Sequence, residues 1–501
     1  MGLSSAVIYD PDDIPLLVEA NYNINNRSIK RIARMDDIKQ SLNQSALLRW
    51  GIMLLVSFTM ATNYYFYDAL SPLKFLMERE LGFSSSEYGF FQAAYSIPNV
   101  FLLMAVIGGI ILDKIGIRIT GFAFIFIQVI GAVITAYGST PFFNSGGWGY
   151  DFMNSFLVSY SPALKLTTLG FFLFGLGAET SIVVISKVIV KWFKGKEIAL
   201  ALGMNIAIAR LGMGAAMVVS PRLIVDSTQT LPLWQNWTMP IWFGALLLGI
   251  GLLAFLVYMI WDIKFDQRVK ERMETVPEEE FRFSDLSKLL TNKSFIYISM
   301  LCVLFYSAVF PFMKYAPDLM INKFGVAPTL AGDISSILPF GTLVFTPIFA
   351  YICDYKGKSA SLMVYGSLLV VSVHLMFAFT TVTPYIPMFI LGIAFSLVPA
   401  AMWPAVTKIV ETNKIGTAYG AMFTIQAIGL MVFPWLIGLV LDYTNPGVSE
   451  ILAAGGTAVY DYTLTLVMLA FLGILGLVFS WLLKNEDRTS GYGLEEPNKM
   501  T

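Results

Sequence analysis

Glu179 and Arg210 are the residues best placed to do chemistry. Each lies near the middle of an apolar run, and the two runs flank a short basic hinge, KWFKGKE, at 191–197. Each run exceeds the roughly 20 residues a helix needs to cross a bilayer. A hinge that short predicts antiparallel neighbours, which would bring acid and base to one depth near the bilayer centre. A charge there costs roughly 2.5–3.5 kcal/mol and by default marks a cavity or a partner. Two opposite charges at one depth fit the ammonium and carboxylate of an amino-acid-like backbone. The competing reading is a permanent ion pair within the bundle, although such pairs often add little net stability.

Other polar groups interrupt the apolar runs: Tyr64, Tyr67, Tyr95, Asn99, Tyr306, Trp403 and Gln426. Together they suit a cavity with aromatic walls and a few placed hydrogen-bonding groups. Taken singly, each also fits helix packing with a satisfied hydroxyl or amide. Lys314 is a candidate to hold a carboxylate; the alternatives are snorkelling to the surface or pairing with Asp318. Asp68, near the end of the first apolar run, is a candidate for an outer gate. The lone His374 reads as packing, and Cys302 and Cys353 offer neither a disulfide framework nor metal spacing. There is no nucleophile with a histidine base, no metal cluster and no phosphate loop, so no enzyme, cofactor or metal is expected. Nothing points to nucleic acid.

The elements that must position these residues follow from composition. Of 501 residues, 56% are hydrophobic and 13% charged, with mean hydropathy +0.68 and net charge −1. A soluble chain would carry about a quarter charged residues. The apolar residues fall in blocks of spanning length at 47–70, 88–112, 117–137, 165–189, 197–221 and 239–262, then at 294–316, 329–352, 359–381, 385–408, 416–441 and 460–483. This predicts an all-α membrane protein of twelve transmembrane helices. Its divisions are a tail at 1–46, a six-helix bundle at 47–262, a connector at 263–293, a second six-helix bundle at 294–484 and a tail at 485–501. Lys and Arg crowd alternate connections, including Lys114, Arg118, Lys187, Lys191, Lys356, Lys358 and Lys408, which places both termini in the cytoplasm. The polar start predicts no cleaved signal peptide.

The junction of spans two and three reads Gly109-x-x-x-Asp113-x-x-Gly116-x-Arg118, and that of spans eight and nine reads Ala350-x-x-x-Asp354-x-x-Gly357-Lys358. The small residue permits close helix approach and the glycine a tight turn. Asp and the base can pair with helix ends or neighbours and latch one conformation. This duplicated loop resembles that of the major facilitator superfamily, which implies two six-helix bundles rocking around a central site.

Further stretches carry a narrower resemblance: Tyr65-Phe-Tyr-Asp68, Tyr95-Ser-Ile-Pro-Asn-Val100, Trp192-Phe-Lys-Gly-Lys-Glu197 with Ala209-Arg-Leu-Gly212, Val309-Phe-Pro-Phe312, Trp403-Pro404, and Gly416-Thr-Ala-Tyr-Gly420 with Ile425-Gln426. They are similar to the branch of lysosomal dipeptide uniporters and its bacterial relatives. That resemblance implies transport of dipeptides, with Glu179 meeting the peptide amine and Arg210 its carboxylate, and short peptides and the bilayer as partners. Competing functions are a proton-coupled symporter of organic anions, with Glu179 as proton carrier, and a transport-dead scaffold or receptor. Outer loops almost free of glycosylation sequons favour a bacterial inner membrane. A dileucine-like string at 12–17 supports the lysosomal alternative. An accessory subunit is possible and is not assumed.

Overall fold

The computed structural model describes residues 46–193, 197–224, 236–269, 289–411 and 414–498. The dileucine-like string, nearly all of the first tail, part of the basic hinge and most of the connector lie outside these residues. The described helices are α1 (Ala46–Ala69), α2 (Lys74–Leu81), α3 (Ser85–Ala93), α4 (Ile97–Phe101), α5 (Met104–Ile115), α6 (Ile117–Gly138), α7 (Pro141–Asn144), α8 (Tyr150–Asn154), α9 (Pro162–Phe193), α10 (Ile198–Val219) and α11 (Met239–Val269). The second half comprises α12 (Lys293–Phe324), α13 (Pro328–Tyr355), α14 (Ser359–Phe379), α15 (Tyr385–Ile409), α16 (Ile415–Thr444), α17 (Val448–Ala453) and α18 (Thr463–Ser490). Among the described residues, eleven helical stretches are long and apolar enough to cross a membrane. The twelfth crossing, span two, is made by α3, α4 and α5 in succession.

That crossing was expected to be continuous, and its interruption has local causes. Pro98 removes a backbone donor at the start of α4. Leu103 takes a left-handed backbone at φ 50°, and the Asn99 side chain accepts the Ala105 N–H at 2.9 Å across the break. A short polar side chain thus replaces a helical carbonyl as acceptor.

Glycines set the close approaches. A Cβ on Gly131 would lie 2.3 Å from the Phe174 nitrogen, and one on Gly175 would lie 2.1 Å from the Tyr95 carbonyl oxygen. At Gly109 nothing comes within 4 Å, whereas a Cβ on Gly108 would strike Thr180 at 2.6 Å. The close contact expected of the first loop motif therefore falls one residue earlier. The hinge-based neighbour relation also changes: α9 packs chiefly on α6, whereas α10 packs chiefly on α1 and α13.

The halves meet through α3 against α16 and α10 against α13. The polar contacts between them gather at one end, the far end, opposite the end that carries the paired loops. There Lys314 donates to Asp68 at 2.9 Å and to the Tyr67 carbonyl at 2.6 Å. Lys74 bridges Glu78 at 2.7 Å and Asp318 at 2.9 Å. Asp442 caps α3 by accepting the N–H groups of Ser85 and Ser86, Tyr88 donates to the Lys314 carbonyl, and Arg222 forms a two-pronged pair with Asp333. Lys314 thus binds Asp68, and Lys74 is the partner of Asp318.

Two outcomes test this packing. Gly175→Ala should overpack span four against span two and cost about 1–3 kcal/mol, seen as a lower unfolding midpoint, while Gly203→Ala, facing open space, should leave the midpoint unchanged. Lys314→Ala strands Asp68 in a dry site and should cost about 3–5 kcal/mol. Replacing both partners with apolar residues, D68L with K314M, should recover most of that loss.

Candidate substrate site

Between the halves lies a cavity of about 170 Å³ lined by Asn63, Tyr64, Tyr67, Tyr95, Ala105, Glu179, Ile182, Val183, Phe310, Phe423, Gln426 and Leu430. Its walls are mainly aromatic and aliphatic with few polar groups, the usual make-up of a small-solute site. The far end above it is closed by buried side chains, while Phe423, one to two turns toward the loop end from Gln426 and Leu430, is 44% exposed.

Glu179 projects from mid-α9 and is half-buried because it faces this space. Asn99 donates to its Oε2 at 3.4 Å, so the residue that bridges the break in span two also touches the acid. The Tyr95 hydroxyl reaches the same carboxylate, and the Tyr95 ring packs on Tyr67 with centroids 4.4 Å apart. These contacts orient the carboxylate while supplying no cation.

Arg210 comes from α10 on another side of the cavity. Its guanidinium carbon lies 4.9 Å from the Phe395 ring, 5.9 Å from Phe310 and 6.0 Å from Tyr64. Tyr64 and Phe310 are themselves cavity walls. One nitrogen also meets the Met213 sulfur at 3.5 Å. Such faces favour a cation by their quadrupoles, yet none is an anion. Among the described residues neither Glu179 nor Arg210 has an ion-pair partner. A permanent Glu179–Arg210 pair is therefore absent here.

The other expected site residues divide by position. Tyr67, Tyr95 and Gln426 line the cavity with Glu179. Tyr306 and Trp403 stand behind the wall: the Trp403 indole donates to the Tyr306 hydroxyl at 3.0 Å, Tyr306 stacks on Phe310, and Trp403 stacks on Phe423. Lys314 sits on the far-end side, over the Tyr67 ring and bound to Asp68. The sequence reading missed Asn63 and the aliphatic wall, and it missed Lys74 and Glu78. An i,i+4 Lys–Glu spacing beside a span was the available pointer to the latter pair.

At the loop end, Gly116 and Gly357 both take positive φ, 84° and 71°, as the tight turns require. Asp113 pairs with Lys187. Arg118 donates to Asp262 at 2.8 Å, as do Lys191 at 2.8 Å and the Trp192 indole at 3.2 Å. In the second half Lys358 pairs with Glu495 at 3.7 Å, and Asp354 accepts from Asn498 at 3.3 Å. Both loop bases thus find an acid of their own half.

The chain matches the Major Facilitator Superfamily over residues 53–434. It is 30% identical over 399 residues to the lysosomal dipeptide transporter MFSD1 of Bos taurus, covering 79% of this chain and 80% of that protein. It is 22% identical over 419 residues to the hexuronate transporter of Bacillus subtilis, covering 79% of this chain and 89% of that one. Among solved structures, a bacterial homologue of the human lysosomal transporter Spinster, inward-facing and unoccupied, superposes with TM-score 0.63 at 12% identity, covering 88% and 98% of the two chains. The nucleoside transporter NupG gives 0.60 at 15% identity, covering 86% and 98%. An all-helical chain of two six-span halves around a central cavity, with this match over most of its length, belongs to the major facilitator superfamily and is a membrane transporter rather than an enzyme.

Proposed function

We propose that this transporter carries dipeptides, by uniport, between the two sides of its membrane. The observation that supports the reading is the pair of opposite charges, Glu179 and Arg210, each facing the cavity or its ring wall without a counter-ion. An uncompensated charge in such a place is costly, and a zwitterion neutralises both at once. The ammonium end meets Glu179, which Tyr95 and Asn99 hold in place. The carboxylate meets Arg210, whose planar fork suits two oxygens. Both charges belong to the first half, while Phe310, Phe423 and Gln426 come from the second. Solute side chains lying on those groups give the second half a reason to close over the cavity. The similarity to the dipeptide transporters favours the same solute. On this reading the loop end and both termini are cytoplasmic, and the membrane is a bacterial inner membrane, with the lysosome as the alternative.

Thermal unfolding against a panel of free dipeptides, end-blocked dipeptides, single amino acids and organic anions tests the assignment. A dipeptide at a hundred times its Kd should add about 2.7 kcal/mol of stability, and blocking either end should remove the shift. Glu179→Gln and Arg210→Gln should each cost about 2–5 kcal/mol of binding and abolish dipeptide uptake while folding persists. Shifts with anions alone would sink the dipeptide assignment, and uptake driven by an imposed pH gradient would replace uniport with proton coupling.

A further inference from the structure

Asn63 is a polar side chain of the cavity wall whose amide nitrogen the protein leaves unpaired. The residue lines the cavity from α1 and is only 2% exposed. Its side-chain nitrogen has no acceptor among the described residues. A buried donor in that state is disfavoured, and each such group calls for an explanation. The other polar groups of the wall are engaged. The Tyr95 hydroxyl reaches Glu179, Gln426 Oε1 faces the Cys302 thiol at 3.8 Å, and the Tyr64 and Tyr67 rings lie against Arg210 and Lys314.

The place of Asn63 gives that amide a use. Its helix, α1, packs both on α10, which carries Arg210, and on α9, which carries Glu179. Tyr64, the next residue, is 6.0 Å from the Arg210 guanidinium. Tyr67 stands one turn along α1 on the same face as Asn63 and packs on Tyr95 at 4.4 Å, the ring whose hydroxyl reaches Glu179. The cavity face of α1 thus runs from the side of the acid to the side of the base, and Asn63 is the amide it presents.

We propose that Asn63 is a specificity-determining residue: it hydrogen-bonds the peptide group of the solute and so selects dipeptides over other solutes with two charged ends. The inference rests on the dipeptide reading above. A solute held at one end by Glu179 and at the other by Arg210 lies across α1, and the middle of a dipeptide is its peptide group. That group offers one N–H and one C=O in a plane. A side-chain amide carries both a donor and an acceptor and swings easily about its last bond, so it answers whichever edge the solute turns toward it. Glu179, Asn63 and Arg210 all belong to the first half and would read only backbone. The second half, through Phe310, Phe423 and Leu430, is left to meet side chains by apolar contact, which tolerates many of them.

Glycylglycine and 5-aminopentanoate separate an ammonium from a carboxylate by the same number of chain atoms, and only the first has a peptide group. Calorimetric titration of the purified protein in lipid nanodiscs gives the Kd of each. The unaltered protein should bind glycylglycine about tenfold or more tightly, the margin set by one hydrogen bond to a buried amide. Asn63→Leu and Asn63→Ala should each weaken glycylglycine by about that factor, so that the two solutes bind alike. Having both variants guards against one failing to fold. Equal binding by the unaltered protein, as expected if Asn63 only holds cavity water, overturns this inference and leaves the dipeptide reading standing. So does a preference that survives in both variants. If the unaltered protein binds neither solute, the dipeptide reading falls and takes this inference with it.

Discussion

The Lys314–Asp68 pair is the interaction on which the rest of the arrangement hangs. Where both are buried, an ammonium and a carboxylate from opposite halves can be left only together, so the pair fixes how α1 and α12 approach. One helical turn from Asp68 along α1 is Tyr64, and one turn from Lys314 along α12 is Phe310; residues four apart share a helix face. Tyr64 and Phe310 are two of the rings that hold the Arg210 guanidinium. The far-end pair and two of the rings around Arg210 are therefore consecutive turns of the same two helices. Parting the pair must move those rings.

Span two joins three levels of the molecule. Its first piece, α3, is tied into the far end through Tyr88 and the capped serines. Its break meets the cavity at Asn99, which touches Glu179. Its last piece, α5, carries Asp113, the acid of the first loop, onto Lys187 of α9. A continuous helix would transmit movement rigidly from one end to the other. An interrupted one can let its ends move separately while Asn99 keeps the cut ends satisfied, which is how irregular backbone is tolerated where it lines a cavity.

The sequence made the spans, the duplicated loops and the buried acid and base legible because each is a strong, local departure in hydropathy or charge. Which helices touch was not legible in the same way. The short hinge suggested that the helices carrying Glu179 and Arg210 were neighbours, yet α9 lies on α6, with Gly131 and Gly170 admitting the close approach. Packing of that kind is decided by surface shape along whole helices, not by connection length. Lys314 shows the same limit: Asp318 is its helical neighbour, but its partner Asp68 lies on another helix in the other half. The break in span two was written locally, in Ile-Pro-Asn, but the apolar residues that surround it hid it from a hydropathy reading.

The two loops are built alike and braced differently. In each, the base of the motif reaches an acid at or beyond the last helix of its own half: Asp262 for Arg118, and Glu495 for Lys358. Asp262 is buried, with three side-chain donors on its two oxygens, whereas Lys358 is 64% exposed and its pair is long. Exposed pairs contribute little. The second loop is held instead by backbone, with Lys358 and Ser359 N–H groups donating to the carbonyls of Glu495 and Leu494 at 3.0 Å and Ser361 donating to the Glu495 carboxylate. Gly357 fits there because a Cβ would lie 2.4 Å from the Glu496 carbonyl carbon. A loop whose base has lost most of its electrostatic grip can keep its shape when the chain folds back beneath it, and this places the bracing of the second half in the segment after α18 rather than in the motif itself.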